Sequence, residues 1–222
     1  MLRALVMIAF VVALAGCGAG GDDQAVDAPT DEPAEYQYDP ETDVTPESQE
    51  YIDRLVARLG ESPDYKVRRE VVEDLPSGQL AFAVVARIWE DMASSGRQPA
   101  PDQFNAGQRA VFGMILADFE ILNGGFWQYW YNTSASLAEE LPAAARRVGA
   151  APYADVFADA AALWPSGIPT SEERRRDEAD ALDEDALAAL DDRYAAFQYE
   201  RETMLGVVLG RYIRANLDEF TR

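Results

Sequence analysis

The chain has 222 residues, of which 27% are charged and 48% hydrophobic, as is typical of a globular protein. Its formal net charge is −21, it contains no histidine, and Cys17 is its single cysteine. The acidity argues against nucleic acid or an anionic lipid surface as a direct ligand, because both repel carboxylates. One cysteine excludes an intramolecular disulfide and a cysteine metal site. A basic protein partner or a cation remains compatible with this charge.

The first residues have the pattern of a secretory signal. Met1-Leu2-Arg3 supplies a positive start, and the apolar run that follows ends at Leu14, too short for the ~30 Å hydrocarbon core of a bilayer. Leu14-Ala15-Gly16-Cys17 resembles a bacterial lipobox, a motif at which the chain is cut before the cysteine. We therefore predict a lipoprotein signal peptide at residues 1–16 and lipidation, including palmitate, at Cys17. The alternative is an ordinary secretory signal that happens to contain a cysteine.

The resemblance to a lipobox also implies a location. A lipidated Cys17 would anchor the protein to a membrane of the cell envelope, facing the periplasm or the exterior, because several acyl chains give a stable anchor. The residue after the cysteine is Gly18 rather than the Asp of the usual inner-membrane retention signal. This favours the outer membrane in an organism that has one.

Residues 17–44 are predicted to be the lipidated cysteine followed by an acidic, disordered linker. From Asp22 to Glu50 there are 11 acidic residues and no Lys or Arg. Such a segment cannot bury enough apolar surface to offset the entropy of ordering, and its like charges should extend it. It would hold the folded part away from the bilayer. The alternative is an acidic docking tail for a basic partner.

Residues 45–222 are predicted to be an all-α domain, a single multi-helix globular unit with one core. Apolar residues recur at helical spacing, and no segment shows the period-two alternation of a strand. The predicted helices cover residues 45–60, 64–75, 79–93, 103–122, 126–132, 137–148, 153–163, 171–182 and 185–217, the last with a break near Tyr199. Asp102 is the predicted cap of the fourth helix, and Thr170 or Ser171 that of the eighth.

The most conspicuous stretch is Asn123-Gly124-Gly125-Phe126-Trp127-Gln128-Tyr129-Trp130-Tyr131-Asn132, which we call the corner segment. Asn and Gly tolerate left-handed backbone, so one helix should end at Leu122 and the next should begin at Phe126. At about 100° per residue, the new helix has three faces. They are Phe126, Tyr129 and Trp130; Trp127 and Tyr131; and Gln128 with Asn132. A helix this apolar should be buried on most sides.

Two interpretations of the corner segment remain open. In the structural one, aromatic packing and amide hydrogen bonds hold a tight helix–Gly-Gly–helix turn. Buried amides at Gln128 and Asn132 then need partners, for which Asn123 and helix-end backbone groups are the nearest candidates. In the other, the segment is a small recognition pocket in which Asn123, Gln128 and Asn132 are polar contacts among aromatic rings.

The corner segment resembles the signature of the bacterial family that includes DNA mimic protein 19, a domain of unknown function. The residues that carry the resemblance are Asn123, Gly124, Gly125, Phe126, Gln128, Tyr129, Tyr131 and Asn132. Weaker similarity lies at residues 144–150, at 153–165, and at Tyr212, Ile213, Asn216 and Phe220. The resemblance implies an all-helical fold and no established enzymatic activity. It also implies that a member can present acids in place of DNA phosphates to a DNA-binding protein.

The lipobox and the charge distribution depart from that implication. A lipoprotein domain would lie outside the cytoplasm, where a transcription regulator would not be met. Acids are densest at residues 172–192, but Arg174, Arg175 and Arg176 are interleaved with them. Glu172–Arg176, Arg174–Glu178 and Arg176–Asp180 are spaced as i, i+4 pairs, so we interpret this segment as a solvated, salt-bridged helix face rather than a phosphate mimic.

The residue types argue against an enzyme. There is no histidine for general base chemistry, and lipidation would consume Cys17. Asp118 and Glu120, at i, i+2, should point to different faces of their helix. We expect no cofactor and no metal site. The preferred hypothesis is a non-catalytic, lipid-anchored protein of the cell envelope that binds another protein, one with basic charge. The alternatives are a DNA-mimic-like inhibitor of a basic protein, and a small-ligand or metal-binding carboxylate site.

Overall fold

The computed structural model describes residues 65–95, 103–199 and 204–222, with side chains described except at residues 89–95 and 133–134. These residues all lie in one compact unit, Leu59–Arg222. The signal peptide, the acidic linker and the helix predicted at residues 45–60 lie outside the described residues. The boundaries predicted at residues 16, 44 and 45 therefore stay predictions.

The all-α fold is confirmed, since the described residues form helices and no strand. The α-helices, numbered in chain order, are α1 (Arg69–Asp74), α2 (Ser77–Ser95), α3 (Ala106–Tyr131), α4 (Leu141–Arg147), α5 (Ala151–Ala162), α6 (Glu172–Ala179), α7 (Glu184–Ala196), α8 (Leu205–Ala215) and α9 (Leu217–Phe220). A 3-10 helix, Thr133–Glu140, precedes α4.

The N-terminal part of the described fold is held by an isolated parallel bridge between Val67 and Thr221. The N–H of Val67 donates to the Phe220 carbonyl at 2.9 Å, and the Val67 carbonyl accepts from the Arg222 N–H at 3.2 Å. The predicted helix at residues 64–75 is therefore too long. It begins at Arg69, because Val67 is extended in the bridge and Tyr65 has a φ of 59°.

The start of α3 differs from the prediction. Asn105, not Asp102, is the N-cap. Its side-chain oxygen accepts from the Gln108 N–H at 2.9 Å, and the Gln108 side chain accepts from the Asn105 N–H at 3.1 Å. This reciprocal pair satisfies two helix-end donors, as a capping box does. Asn105 also donates from Nδ2 to the Glu219 carbonyl at 2.7 Å, which ties the start of α3 to α9.

Other boundaries also shift. The helix predicted at residues 137–148 is a 3-10 helix followed by α4, because Pro142 has no N–H with which to continue an α-helix from the preceding turn. Helix α2 begins at Ser77 and continues to Ser95, so it includes residues assigned to the flanking loops. The predicted break near Tyr199 is confirmed, as α7 ends at Ala196 and α8 begins at Leu205. Ser171 caps α6, as predicted.

The core is organised around α3. This helix packs against α2, the 3-10 helix, α4, α6, α7, α8 and α9, while α8 also crosses α2 closely. Its length and apolar composition would allow it to cross a membrane, but most of its residues are buried by the surrounding helices. Residues 123–131 of the corner segment form the last third of α3, so the corner segment continues the helix that organises the core.

Candidate functional site

The corner segment is a sharp break inside α3. Gly124 has φ −164° and ψ 28°, and Gly125 has φ 75° and ψ −178°, neither of which is helical. The Gly125 conformation is one that essentially only glycine adopts. A Cβ there would also overlap with the Asp191 carboxylate, and one at Gly124 would overlap with the Gln128 side chain. The predicted break between residues 122 and 126 is thus confirmed, and the two glycines are needed for different reasons.

The second arm of α3 restarts at Phe126 with a cap from another helix. The Phe126 N–H donates to Asp191 Oδ1, on α7, at 2.8 Å. Burial raises the pKa of the Asp191 carboxyl, while the hydrogen bond from Phe126 opposes that shift. A carboxylate at this place also interacts favourably with the positive end of the helix dipole. The first turn of the second arm is therefore stabilised from 65 residues away.

One aromatic face of the second arm belongs to the core. Phe126, Tyr129 and Trp130 are buried, as their shared phase predicts. The Phe126 ring centroid lies 5.9 Å from that of Tyr194 and 6.2 Å from that of Phe157, and the Trp130 centroid lies 5.2 Å from that of Trp164. These edge-to-face contacts join the corner to α5 and α7.

The second aromatic face is not buried, which corrects the expectation of burial on most sides. Trp127 and Tyr131 keep 40% and 38% of their surface exposed. Their rings stack on each other at 4.8 Å with an interplanar angle of 23°. Helix α6 borders this face: Trp127 Nε1–H donates to Asp180 Oδ1 at 3.2 Å, and the Arg176 guanidinium lies 4.9 Å from the Tyr131 ring centroid. The pair therefore forms a fixed aromatic surface.

The amide face of the second arm is bonded to Glu120. Gln128 Nε2 donates to Glu120 Oε2 at 3.0 Å, and Asn132 Nδ2 donates to the same oxygen at 2.7 Å. In a straight helix, residues 120 and 132 would be about 18 Å apart along the axis, so the Gly-Gly break brings them together. The expected partners were Asn123 and helix-end backbone groups, but the partner of both amide nitrogens is the Glu120 carboxylate. Through these contacts, Gln128 and Asn132 stabilise the bend in α3.

Two arginines of α6 hold the end of the corner segment. Arg175 is 2% exposed and donates to the carbonyls of Trp130 and Asn132, and to those of Pro169 and Thr170, each at 3.2 Å. Arg176 Nε donates to the Tyr131 carbonyl at 2.7 Å. The last carbonyls of a helix lack partners within the helix, so these bonds satisfy them. Burial lowers the pKa of Arg175, and the charge of Glu172 opposes that shift.

The charged face predicted on α6 is confirmed in part. Arg174 pairs with Glu178 at 2.7 Å, and Arg176 pairs with Glu172 at 2.6 Å. The third predicted pair, Arg176–Asp180, does not form between these two described residues; Arg176 pairs with Glu172, and Asp180 accepts from Trp127. That one of the three arginines would be buried was not foreseeable, since three successive arginines carry no pattern that distinguishes them.

The carboxylates before the corner point to different partners, as their spacing predicts. Glu120 binds the corner amides, whereas Asp118 Oδ1 accepts from Tyr194 Oη–H at 2.8 Å and from Gln198 Nε2 at 3.2 Å, both on the α7 side. Burial raises the pKa of Asp118 to about 6, although both hydrogen bonds act against the shift. The two acids therefore bind different side chains and do not share a partner. Within the described ranges, no group of three or more His, Cys, Asp or Glu is placed to hold a metal ion.

The fold and the site define a class of protein: an all-helical domain whose central helix is broken by two glycines into an aromatic corner. A family model described as DMP19-like protein matches residues 102–216, just over half of the chain, and this range includes the whole corner segment. The chain belongs to the DMP19-like family. No curated protein and no solved structure gives a significant match. The resemblance to the family of DNA mimic protein 19 is thereby confirmed at the level of the family.

Proposed function

We propose that the chain is a non-catalytic, lipid-anchored protein of the cell envelope whose helical domain binds another protein. The observation that carries this proposal is the exposed, stacked pair of Trp127 and Tyr131 on the corner segment. The lipid on Cys17 and the acidic linker of residues 17–44 would present this surface at the periplasmic or outer face of a membrane.

The exposed side chains support a binding surface at the corner. Four large hydrophobic side chains of the described residues are exposed: Leu122, Trp127, Tyr131 and Tyr199. Three of the four fall within ten consecutive residues. Tryptophan and tyrosine are enriched at the energetic centres of protein interfaces. Here both rings are already held in place by Asp180 and Arg176, so binding would cost little side-chain entropy.

The proposal of a non-catalytic role has support from the acidic side chains near the corner. Asp118 accepts two hydrogen bonds and Glu120 accepts two, all from side chains that fix helix positions. Asp191 caps the second arm of α3. These carboxylates therefore serve the fold. The chain also contains no histidine to act as a general base.

Photo-crosslinking in the native host tests the proposal. Tyr131 is replaced by a benzophenone amino acid in the full chain, and Tyr199, which is 88% exposed but lies outside the corner, is replaced in a matched control. We expect one discrete adduct from position 131, in the membrane fraction, and none of that mass from position 199. Failure of position 131 to form an adduct, or identical adducts from both positions, would overturn the proposal.

A second candidate, a DNA-mimic-like inhibitor of a basic protein, has one observation in its favour. Residues 172–192 contain ten acidic residues and three arginines. A mimic of this kind predicts that duplex DNA, added before irradiation, prevents formation of the adduct and that binding falls steeply with salt. If an excess of duplex DNA leaves the adduct from position 131 unchanged, this second function is excluded for that partner.

A further inference from the structure

The exposed face of the corner already binds one cation, the guanidinium group of Arg176. The Arg176 guanidinium lies over the Tyr131 ring, with Cζ 4.9 Å from the centroid. The same guanidinium contacts the Glu172 carboxylate at 2.6 Å. A ring and a carboxylate thus bind one guanidinium between them, which combines cation–π attraction with a charge-assisted hydrogen bond.

A second ring and carboxylate lie beside the first. Trp127 stacks on Tyr131, so one face of the indole and one face of the phenol are used by this contact. The Tyr131 ring thus contacts both the Trp127 indole and the Arg176 guanidinium. Trp127 keeps 40% of its surface exposed. The Asp180 carboxylate lies at the edge of this ring, 3.2 Å from Nε1.

Within the described part of the chain, no guanidinium or ammonium group lies over the Trp127 ring. The pair formed by this ring and the Asp180 carboxylate therefore binds no cation from that part of the chain. We propose that Trp127 and Asp180 form a site for an arginine side chain of the partner protein, an inference that rests on the proposed function. Tryptophan is the strongest cation–π acceptor among the side chains, and a planar guanidinium stacks on it better than an ammonium does.

The charge around the site favours the same occupant. The three arginines of α6 are all engaged: Arg174 with Glu178, Arg176 with Glu172, and Arg175 with backbone carbonyls. Residues 172–192 contain ten acids and three arginines, which gives this segment a net charge of −7. Such a potential attracts a basic segment and raises its rate of encounter. The ring and the Asp180 carboxylate would then select an arginine within that segment.

Peptide binding tests the site directly. The detergent-solubilised full chain is titrated with a fluorescein-labelled peptide containing three arginines separated by Gly-Ser, and with the same peptide carrying citrulline, a neutral isostere, at those positions. Binding is measured by fluorescence anisotropy. We expect the arginine peptide to bind at least about tenfold more tightly, because citrulline lacks the charge that both the ring and the carboxylate recognise.

Matched variants separate the site from general attraction. Asp180→Asn removes one charge while keeping an oxygen for Trp127 Nε1, and Glu173→Gln removes one charge from an exposed position on the same helix. We expect about tenfold weaker binding for Asp180→Asn and less than twofold for Glu173→Gln. Trp127→Leu should weaken binding like Asp180→Asn, and thermal unfolding checks that each variant is folded. Equal losses for Asp180→Asn and Glu173→Gln, or equal binding of both peptides, would refute the site.

The crosslinking experiment distinguishes failure of the site from failure of the proposed function. If the adduct from position 131 forms equally in the wild-type background and with Asp180→Asn, the partner exists and the arginine site is wrong. If no adduct forms from position 131 in either background, the proposed function itself is wrong. A loss of the adduct with Asp180→Asn but not with Glu173→Gln supports both.

Discussion

The Asp191 carboxylate caps the backbone N–H of Phe126 at 2.8 Å, so α7 completes a helix that restarts in the middle of α3. The same carboxylate lies where a side chain on Gly125 would have to be. The break and its cap are therefore one unit, in which a glycine without a side chain allows an acid from a distant helix to approach the new helix end.

Gly125→Ala should destabilise the domain more than Gly149→Ala. Both glycines have positive φ, but only Gly125 faces a neighbouring side chain, since a Cβ on Gly149 would meet nothing within 4 Å. Left-handed backbone alone costs an alanine about 1–2 kcal/mol. We expect about that loss for Gly149→Ala and at least about 3 kcal/mol for Gly125→Ala, where the ψ of −178° gives a backbone that essentially only glycine adopts and a Cβ would also overlap with Asp191. Denaturant unfolding measures both, and equal losses would show that the Asp191 contact is unimportant.

Glu120 and Asn132 should be energetically coupled. Asn132 Nδ2 donates to Glu120 Oε2 at 2.7 Å, in a partly buried setting. A hydrogen bond to a charged acceptor contributes about 1.5–3 kcal/mol. A double-mutant cycle with Glu120→Ala and Asn132→Ala should therefore give a coupling of about 1–2 kcal/mol in the free energy of unfolding. A coupling near zero, with Asn132→Ala as stable as the wild type, would point to a recognition role for this amide instead.

Arg175 and Arg174 offer a comparison of two neighbours of equal charge. Arg175→Met removes the donors to the Trp130 and Asn132 carbonyls and leaves buried acceptors unpaired. We expect this variant to lose about 3 kcal/mol or more of unfolding free energy. Arg174→Met breaks only an exposed i, i+4 pair with Glu178, so it should lose less than about 0.5 kcal/mol. Thermal unfolding monitored by circular dichroism checks the difference, which would vanish if Arg175 were merely a surface arginine.

Asp118 should give the domain a distinctive pH dependence. Burial raises its pKa from 3.8 to about 6 in the folded protein, so the folded state holds this proton more strongly than the unfolded state does. Stability from this group is therefore greatest below about pH 4 and falls as the pH rises towards 6. Asp118→Asn cannot titrate and keeps an oxygen for Tyr194 and Gln198.

The measurement for Asp118 is the difference in unfolding free energy between Asp118→Asn and the wild type. We expect this difference to favour the variant more at pH 7 than at pH 4, by on the order of 1–3 kcal/mol. The comparison cancels the titration of the other carboxylates. A difference that does not change between the two pH values would show that Asp118 has an ordinary pKa.

The sequence was informative where the determinants are local. The Gly-Gly break, the aromatic face of Phe126, Tyr129 and Trp130, and the Ser171 cap all follow from residue type and helical phase, and the structure has each of them. These features depend on neighbours within about four residues, which helical geometry specifies.

The rest of the site depends on contacts between distant segments. Glu120 reaches Asn132 only after α3 has bent, and Asp191 lies 65 residues from the N–H that it caps. The exposure of Trp127 and Tyr131 depends on how closely α6 approaches, a distance that no local pattern contains. Helical phase showed that these two rings share a face, but not that this face would be open to solvent.

The lipid anchor can be tested without reference to the fold. Cys17→Ser removes the thiol that a lipobox requires, so we expect the protein to move from the membrane fraction to the soluble fraction. Globomycin, which blocks lipoprotein signal processing, should cause the wild-type precursor to accumulate. Fractionation followed by immunoblotting measures both effects. A Cys17→Ser protein that stays in the membrane fraction would instead favour an ordinary secretory signal.

The pairing of Val67 with the end of the chain has a mechanical consequence. Tension that enters the described residues at their N-terminal end would reach Val67, whose N–H and carbonyl are hydrogen-bonded to Phe220 and Arg222. The neighbouring Glu219 carbonyl is held by Asn105, the residue that caps α3. Through the Asn105 contact, such a load would pass to the start of α3, the end of that helix opposite the corner segment. The bridge at Val67 precedes the short helix α1 in the chain, so it would receive the load before α1 does.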